Sequence, residues 1–559
     1  QSQNQIISTK NAFTNHIDTE SDYRLPVACE TQTFELSAPE PSQQYYTETE
    51  ISQASSQLTN LRRIEHIKIL YLRDNLNGPM PHGEVDTKAL PYQNYQLAFT
   101  PDMITNIYDR RVDDALMRGD GGYVRFEGDD HYWIRSGISH YHPVIDEDSN
   151  ITFIGPPSAV DVDNAKRNFY MPVVFEDPNG HLTKIVYDKN HYYIKTIIDA
   201  LNNKVKILEF HHRTLSPWLI SDPNGNRSGA RFNALGLPIS MFVMGKELEN
   251  VGDKMSSGTE AHANDAPSVS INYKFDSYFN SNGPNVVITK THTRHHYDGV
   301  PSITQETYAY SDGSGNVVLE KAKVNETGTK WVGTGRTILN NKGNPVKQYE
   351  PFFDDNPDYA TEESLVNKGY SPTLYYDALG RNIKVENPNG SFTKVEFDAW
   401  SQTHFDENDN VVYDELDADG NLIEKESLWY QQNLNLDTPD VKLKKAAKRS
   451  ANLTLIHAKT PSKVYLDSLG RIFLKVEHNK WQTKNDLAVS DQESFNETRI
   501  EYDIESNPIR LIDARGNVVM SWKYDMLGHQ VFEQSMDAGN KWMLPDALQR
   551  PFRNWDSRE

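Results

Sequence analysis

The chain has 559 residues and carries 57 Lys+Arg against 79 Asp+Glu; the net charge of -22 argues against a nucleic-acid partner, whose phosphates need a basic surface. Hydrophobic residues make up only 37%, yet 29 Tyr, 21 Phe and 9 Trp supply buried area that a disordered chain lacks. The single cysteine, Cys29, excludes an internal disulfide framework and a multi-cysteine zinc site, and no apolar run approaches the ~20 residues of a membrane span, so direct membrane insertion is not expected.

At ~150 residues per domain, the length predicts roughly four domains or one large repetitive body. The sequence starts at Gln1 without a charged-then-apolar leader, so no signal peptide is visible, and Trp555 to Glu559 reads as an interruption. Both ends are therefore expected to be cut from a longer chain. Residues 1–170 read as an N-terminal β segment with weak repeats, with a weak helix predicted from Ser52 to about Leu61.

From 171 to 559, short alternating segments are separated by Asn, Asp, Gly and Pro turns. The Asp-Pro-Asn-Gly turn occurs at Asp177 to Gly180 and again at Asp222 to Gly225. An aromatic, then Asp or Asn, then x-Leu-Gly recurs as Phe232-Asn233 to Gly236, Tyr376-Asp377 to Gly380 and Tyr524-Asp525 to Gly528; Asp467 to Gly470 follows Tyr465-Leu466. Looser cousins are Tyr187-Asp188, Phe397-Asp398, Tyr413-Asp414 and Tyr502-Asp503. Spacings of 21 (376 to 397) and 22 (502 to 524) fit two strands and two turns. A hairpin is predicted between Ile383 and Phe397, turning at Asn387-Pro388-Asn389-Gly390.

Each part of the motif has a physical role. The Asp or Asn side chain can bond the backbone two residues on, Gly takes positive φ cheaply, and Tyr buries its ring while its hydroxyl finds a partner. Repetition of one motif argues for architecture over catalysis. Gln549 stands where the repeat places Gly, so that turn is expected to be non-standard. A helical insertion is predicted near 437–450, with Thr438 as N-cap and Pro439 at the first helical position. Its Lys442, Lys444, Lys445, Lys448 and Arg449 make it basic, which reads as a solvated helix on an acidic body. The stretches Ser256–Gly258 and Ala261–Ala266 read as a surface insertion.

The residues that could carry chemistry also have plain structural readings. His292, His295 and His296 follow a β-branched run, which favours a strand; there His292 and His296 lie ~13 Å apart and cannot share one metal. Glu415 to Glu426 partly matches calcium-loop spacing, but its flanks look like strands. Gly333-Thr334-Gly335 lacks the third glycine of a dinucleotide fingerprint. No catalytic residue, metal ligand or cofactor is assigned, and Cys29 reads as a buried small residue.

Longer stretches carry a resemblance. They are Gly78 to Gly83, Ala89 to Tyr92, Tyr95 to Phe99, Asp222 to Gly236, Trp331 to Gly335, Asn341 to Gly343, Tyr349 to Phe352, Tyr524 to Gly528, Ser535 to Gly539, and Trp542 with Trp555 to Arg558. With the tyrosine-aspartate turns, they make the chain resemble the Rhs/YD-repeat B component of the Tc insecticidal toxin complex from about Tyr23 onward. The resemblance implies a mainly β fold in which antiparallel hairpins stack into a continuous curved sheet forming part of a hollow shell, with few short helices. It also implies a secreted, non-enzymatic protein that encapsulates and helps deliver a toxic effector polypeptide. The implied partners are the C component, which supplies the rest of the shell and the cargo, and the A-component channel, reached through a propeller that this stretch does not contain. The competing expectations are an all-β carbohydrate-binding or carbohydrate-active protein, and a YD-repeat adhesion or contact-dependent toxin shell.

Overall fold

The computed structural model describes residues 6–37, 41–43, 45–281, 283–324, 329–365, 370–485 and 488–558, with the side chains of 58, 281, 483–485 and 488–491 left out. Glu559, the last residue of the stretch from Trp555, thus lies outside the described residues. The protein is mainly β, 43% strand and 12% helix, so the core must be built between and upon sheets. Every ladder described is antiparallel, as alternating segments joined by tight turns require. No helix among the described residues is long and apolar enough to cross a membrane.

The chain divides into two compact units, 1–206 with 499–559, and 207–498. In the first, a five-stranded sheet runs Ile7–Phe13, Ala28–Leu36, Leu61–Leu72, Leu90–Phe99, Tyr132–Arg135. Strands Ile138–His140, Val174–Glu176, Leu182–Tyr187 and Ile194–Ile198 form a meander. The C-terminal meander holds Pro508–Ile512, Val518–Tyr524, Gln530–Ser535, Gly539–Pro545 and Pro551–Asp556.

The core of this unit joins sequence ends. Ala98, Phe99, Ile104, Ile107, Tyr108, Met117, Tyr123 and Tyr132 pack with Val531 and Leu544. Helix Pro101–Tyr108 starts there because the Thr100 side chain accepts from Met103 N and Pro101 needs no N–H partner. Its buried face, Ile104, Ile107 and Tyr108, lies over the last strands: Tyr108 Oη donates to Met543 O (2.7 Å) and Trp542 Nε1 to Ile107 O (2.8 Å). In register, Lys523, Phe532, Trp542 and Trp555 form a cross-strand row beneath it.

The second unit contains one long meander running from Ser216–Ser221 through Arg227–Phe232, Pro238–Met244, Val269–Lys274, Asn285–His292, Thr304–Ser311, Val317–Lys323 and Trp331–Thr334 to Phe352–Asp354. Another runs from Thr337–Leu339 through Pro345–Gln348, Thr373–Tyr376, Asn382–Glu386, Phe392–Phe397, Ser401–Phe405 and Ser462–Leu466 to Ile472–Asn485. Val286, Ile288, Tyr310, Val318, Leu319, Phe352 and Leu365 form the main core. Between Ser401–Phe405 and Ser462–Leu466 the chain leaves the sheet for the hairpin Val412–Leu416/Leu422–Glu426 and helices Leu428–Leu434 and Val441–Leu455.

Local readings are corrected at several points. The basic helix is Val441–Leu455, not Thr438 to Ser450: Asp440, not Thr438, caps it, accepting from Lys442 N and Leu443 N, and buried Ala447 and Ala451 carry it a further turn. The N-terminal helix is Glu48–Ser56, set by a capping box between Thr47 and Glu50, and Leu61 opens a strand. Tyr413-Asp414 is not a turn. It sits mid-strand, where Asp414 pairs with Lys459 at 2.7 Å.

Candidate functional site, a ladder of closed turns

The residues singled out by the repeat occupy separate turns along the chain, and most of them repeat one geometry. At Asp377 one carboxylate oxygen accepts from Leu379 N (2.9 Å) and Arg381 N (2.9 Å), while Gly380 N donates back to Asp377 O (3.0 Å) at φ +82°. The same set closes Asp177 with Asn179, Gly180 and His181, Asp222 with Asn224, Gly225 and Asn226, and Asn233 with Leu235, Gly236 and Leu237. It recurs at Asp467 with Leu469, Gly470 and Arg471, and at Asp525 with Leu527, Gly528 and His529. The side-chain acceptor and the left-handed fourth residue thus satisfy donors that a reversal would leave open.

Three units deviate. Asp188 accepts from Asn190 N and Tyr193 N across a longer turn. Asp503 accepts from Asn507 N, with Ser506 in the left-handed position at φ 71°. In the predicted hairpin, which forms as Asn382–Glu386 and Phe392–Phe397, Asn387 holds the first position as expected, and the side-chain acceptor is instead Asn389, which accepts from Ser391 N. Gly390 is required twice there, by φ +80° and because a Cβ would lie 2.6 Å from Leu428 Cβ.

The turn at Gln549 is a correction. It closes like its fellows, with Asp546 accepting from Leu548 N and Arg550 N and Gln549 at φ 63°. A side chain in that region costs about 1–2 kcal/mol. Gln549→Gly should therefore stabilise the protein by about 1 kcal/mol, read as a higher urea midpoint.

Further closed turns at Asp199, Asp312, Asn340 and Asp513 carry neither an aromatic directly before them nor Pro-Asn-Gly after them and were not singled out as repeat turns, while Asp417 closes the turn of the calcium-type segment in the same way. Their signal is Asp or Asn followed by the i+2 and i+4 donors at intervals of ten to twelve residues, as from 177 to 188 to 199. In Asp377, Asp417 and Asp513 the backbone N–H four residues on holds the carboxyl below the usual range. Asp525 is the exception: it is buried, and burial pushes its carboxyl up.

The tyrosines do a second job. Tyr376 Oη donates to Pro345 O (2.7 Å), Tyr524 Oη to Pro508 O (2.8 Å), Tyr273 Oη to Pro238 O (3.0 Å) and Tyr187 Oη to Pro172 O (2.9 Å). Pro345, Pro508 and Pro238 each open a strand directly after a turn, and each Tyr lies on the adjacent strand. Proline brings no ladder N–H to this position and leaves its carbonyl for the tie. Tyr376→Phe should cost about 1 kcal/mol with the fold intact, measured by chemical denaturation.

Elsewhere, the candidate chemical groups meet structural partners. His292 ends its strand beside Thr304 (3.4 Å), while His295 pairs with buried Asp253 at 2.9 Å. The loop of Glu415 to Glu426 is a hairpin in which Asp417 closes the turn and Glu415 pairs with Lys425 at 2.5 Å. Gly333 leaves room for the Phe352 ring, whose Cζ would be 2.4 Å from a Cβ. Among the described residues, Asp129, Asp130 and His131 form one group with metal-type donor atoms within 4.8 Å; Asp129 also accepts from His131 N and Trp133 Nε1. The first unit contains a recess of about 950 Å³ lined by Glu35, Arg62, Arg63, Asp503 and Asp525, and a second of about 670 Å³ reached by His66 and His529.

His66 is buried with its Nε2 2.5 Å from Glu30 and its Nδ1 unpartnered. Burial is the largest influence and, with Arg63 and Lys68 nearby, lowers its pKa to about 4 against the pull of Glu30. The unfolded imidazole takes a proton near pH 6.5 and the folded one near 4, so acidification through that window favours the unfolded state by up to about 3 kcal/mol. His66→Gln should flatten the fall in urea midpoint between pH 7 and pH 4.5.

No family model and no curated protein matches the chain. Its similarity is to solved structures. A crystal structure of TcdB2-TccC3 superposes with a TM-score of 0.73 at 18% identity, over 99% of this chain and 26% of that one. The Photorhabdus luminescens Tc holotoxin pore gives 0.73 at 17% identity, over 99% and 28%. TcdB2-TccC3 without its hypervariable C-terminal region gives 0.72 at 17%, again over 99% and 28%. The chain therefore spans about a quarter of the length of the solved chains it matches, and over nearly all of its own length it has the fold of those Tc toxin segments.

Proposed function

We propose that this chain is a non-catalytic wall segment of a Tc-type toxin shell of the Rhs/YD-repeat kind, on the B-component side, which encloses a toxic effector polypeptide outside the producing cell. The carrying observation is the match of 99% of the chain, at a TM-score of 0.73, to TcdB2-TccC3. The turn geometry supports the reading: the recurrent Asp, Asn, Tyr and Gly residues close successive hairpin turns, and it is the Tyr502-Asp503 and Tyr524-Asp525 units that share one recess, that of about 950 Å³. The proposed partners are a C-type component that completes the shell and carries the effector, and, through further parts of a B component, the A-type channel.

The test is co-expression of this segment, within its full-length chain, with a C-type component, followed by electron microscopy and limited proteolysis. A hollow particle that shields the effector from protease supports the reading. A solid body that leaves the effector cleavable overturns it, as would glycan hydrolysis or glycan binding lost on substitution of one carboxylate pair.

A further inference from the structure

Helix Val441–Leu455 is unlike the rest of this acidic chain. It holds Lys442, Lys444, Lys445, Lys448 and Arg449 and no Asp or Glu. Among the described residues Lys444 pairs with Asp437 at 3.6 Å, while the side chains of Lys442, Lys445, Lys448 and Arg449 meet no carboxylate. At 100° per residue, Lys442, Lys445 and Arg449 make a stripe ~10 Å long, diametrically opposite the buried Ala447 and Ala451. The helix is thus seated by two small side chains and turns its cations to solvent.

Beside its C-terminal end lies a groove of about 520 Å³ in which Leu455, Ile456, Ala458 and Trp481 stand together with polar groups that include Lys480 and Glu493. Leu455 and Trp481 are 41% and 43% exposed there, apolar side chains left open next to the cationic stripe in a groove whose other groups are largely polar.

We propose that this helix and groove dock an acidic, amphipathic segment of a partner polypeptide, with carboxylates along Lys442, Lys445, Lys448 and Arg449 and apolar side chains against Leu455, Ile456 and Trp481. Charge complementarity selects an anion, and the adjoining groove selects one with apolar side chains, which a sulfated glycan lacks. A bilayer would need the apolar groups on a convex face, whereas here they line a concavity. The net charge of -22 disfavours nucleic acid.

The test is fluorescence anisotropy of the full chain with a labelled peptide of Glu, Leu and Phe about four helical turns long. Saturable binding, weakened by salt, is expected. The combined Lys442→Gln, Lys445→Gln, Lys448→Gln and Arg449→Gln variant should weaken it at least about ten-fold, and Trp481→Gln by a few-fold, with circular dichroism and melting unchanged in both. A peptide in which Ser replaces Leu and Phe should bind more weakly. Failure of the peptide to bind overturns the proposal. So does binding unaffected by the charge variant, preferential binding of heparin or phosphatidylserine vesicles, or salt-sensitive self-association of the chain lost in the charge variant.

Discussion

Asp354→Ala is expected to lower stability by about 3–5 kcal/mol, measured as a fall in the urea midpoint at constant slope. Lys321 is fully buried on strand Val317–Lys323; its ammonium donates to Asp354 Oδ2 at 2.7 Å and to Asn356 O at 3.2 Å. Removing the carboxylate leaves a cation in the interior with a carbonyl as its remaining acceptor. The decisive comparison is a double variant, Lys321→Met with Asp354→Leu, which removes both charges and fills the same space. It should recover most of the loss, because the penalty comes from an unmatched buried charge and not from the pair's own attraction. A single variant that costs under about 1 kcal/mol would show that solvent reaches Lys321.

The second large effect is expected at Asp525. Its carboxylate accepts from Leu527 N and His529 N, at 2.9 Å each, inside the core of the first unit, and the adjacent Met526 N donates to Ala98 O at 2.9 Å. Asp525→Ala opens the turn and leaves two part-buried N–H groups without their acceptor, at about 1–3 kcal/mol for each. A total near 3 kcal/mol is expected. Asp312→Ala removes the same two bonds from an exposed turn, where water replaces them, and should cost about 1 kcal/mol or less. Equal losses in the two variants would mean that docking against Ala98 contributes nothing. Hydrogen exchange at Leu527 and His529 gives an independent reading, since protection there should collapse in the variant while that of the second unit is kept.

What was legible in the sequence was local. Asp, x, x, Gly and the alternation on either side of it write their own geometry, so hairpins such as Asn382–Glu386 with Phe392–Phe397 were open to reading residue by residue. The packing of helix Pro101–Tyr108 upon strands more than four hundred residues later was not, because nothing near Tyr108 announces Met543. Buried cations were equally hidden. Arg231 and Lys321 look in sequence like the solvent side of a strand; only the folded chain shows Asp265 beside one and Asp354 beside the other. The tyrosine ties were half visible: the rings were expected inside, but the recipient proline carbonyls come from the adjacent strand. The helix boundary moved for a smaller reason, since Thr438 and Asp440 are both good caps and the carboxylate nearer the apolar face prevailed.

The self-contained closure of each reversal has a consequence for how such a chain can change over time. A side chain that fastens its own bend sets the alignment of the two strands it joins without consulting their residues. Strand positions are then free to be exchanged so long as inside and outside keep their alternation, and a whole hairpin can be gained or lost with its fastening included. Chains built this way can share as little as 17–18% identity while the paths of their backbones stay superposable.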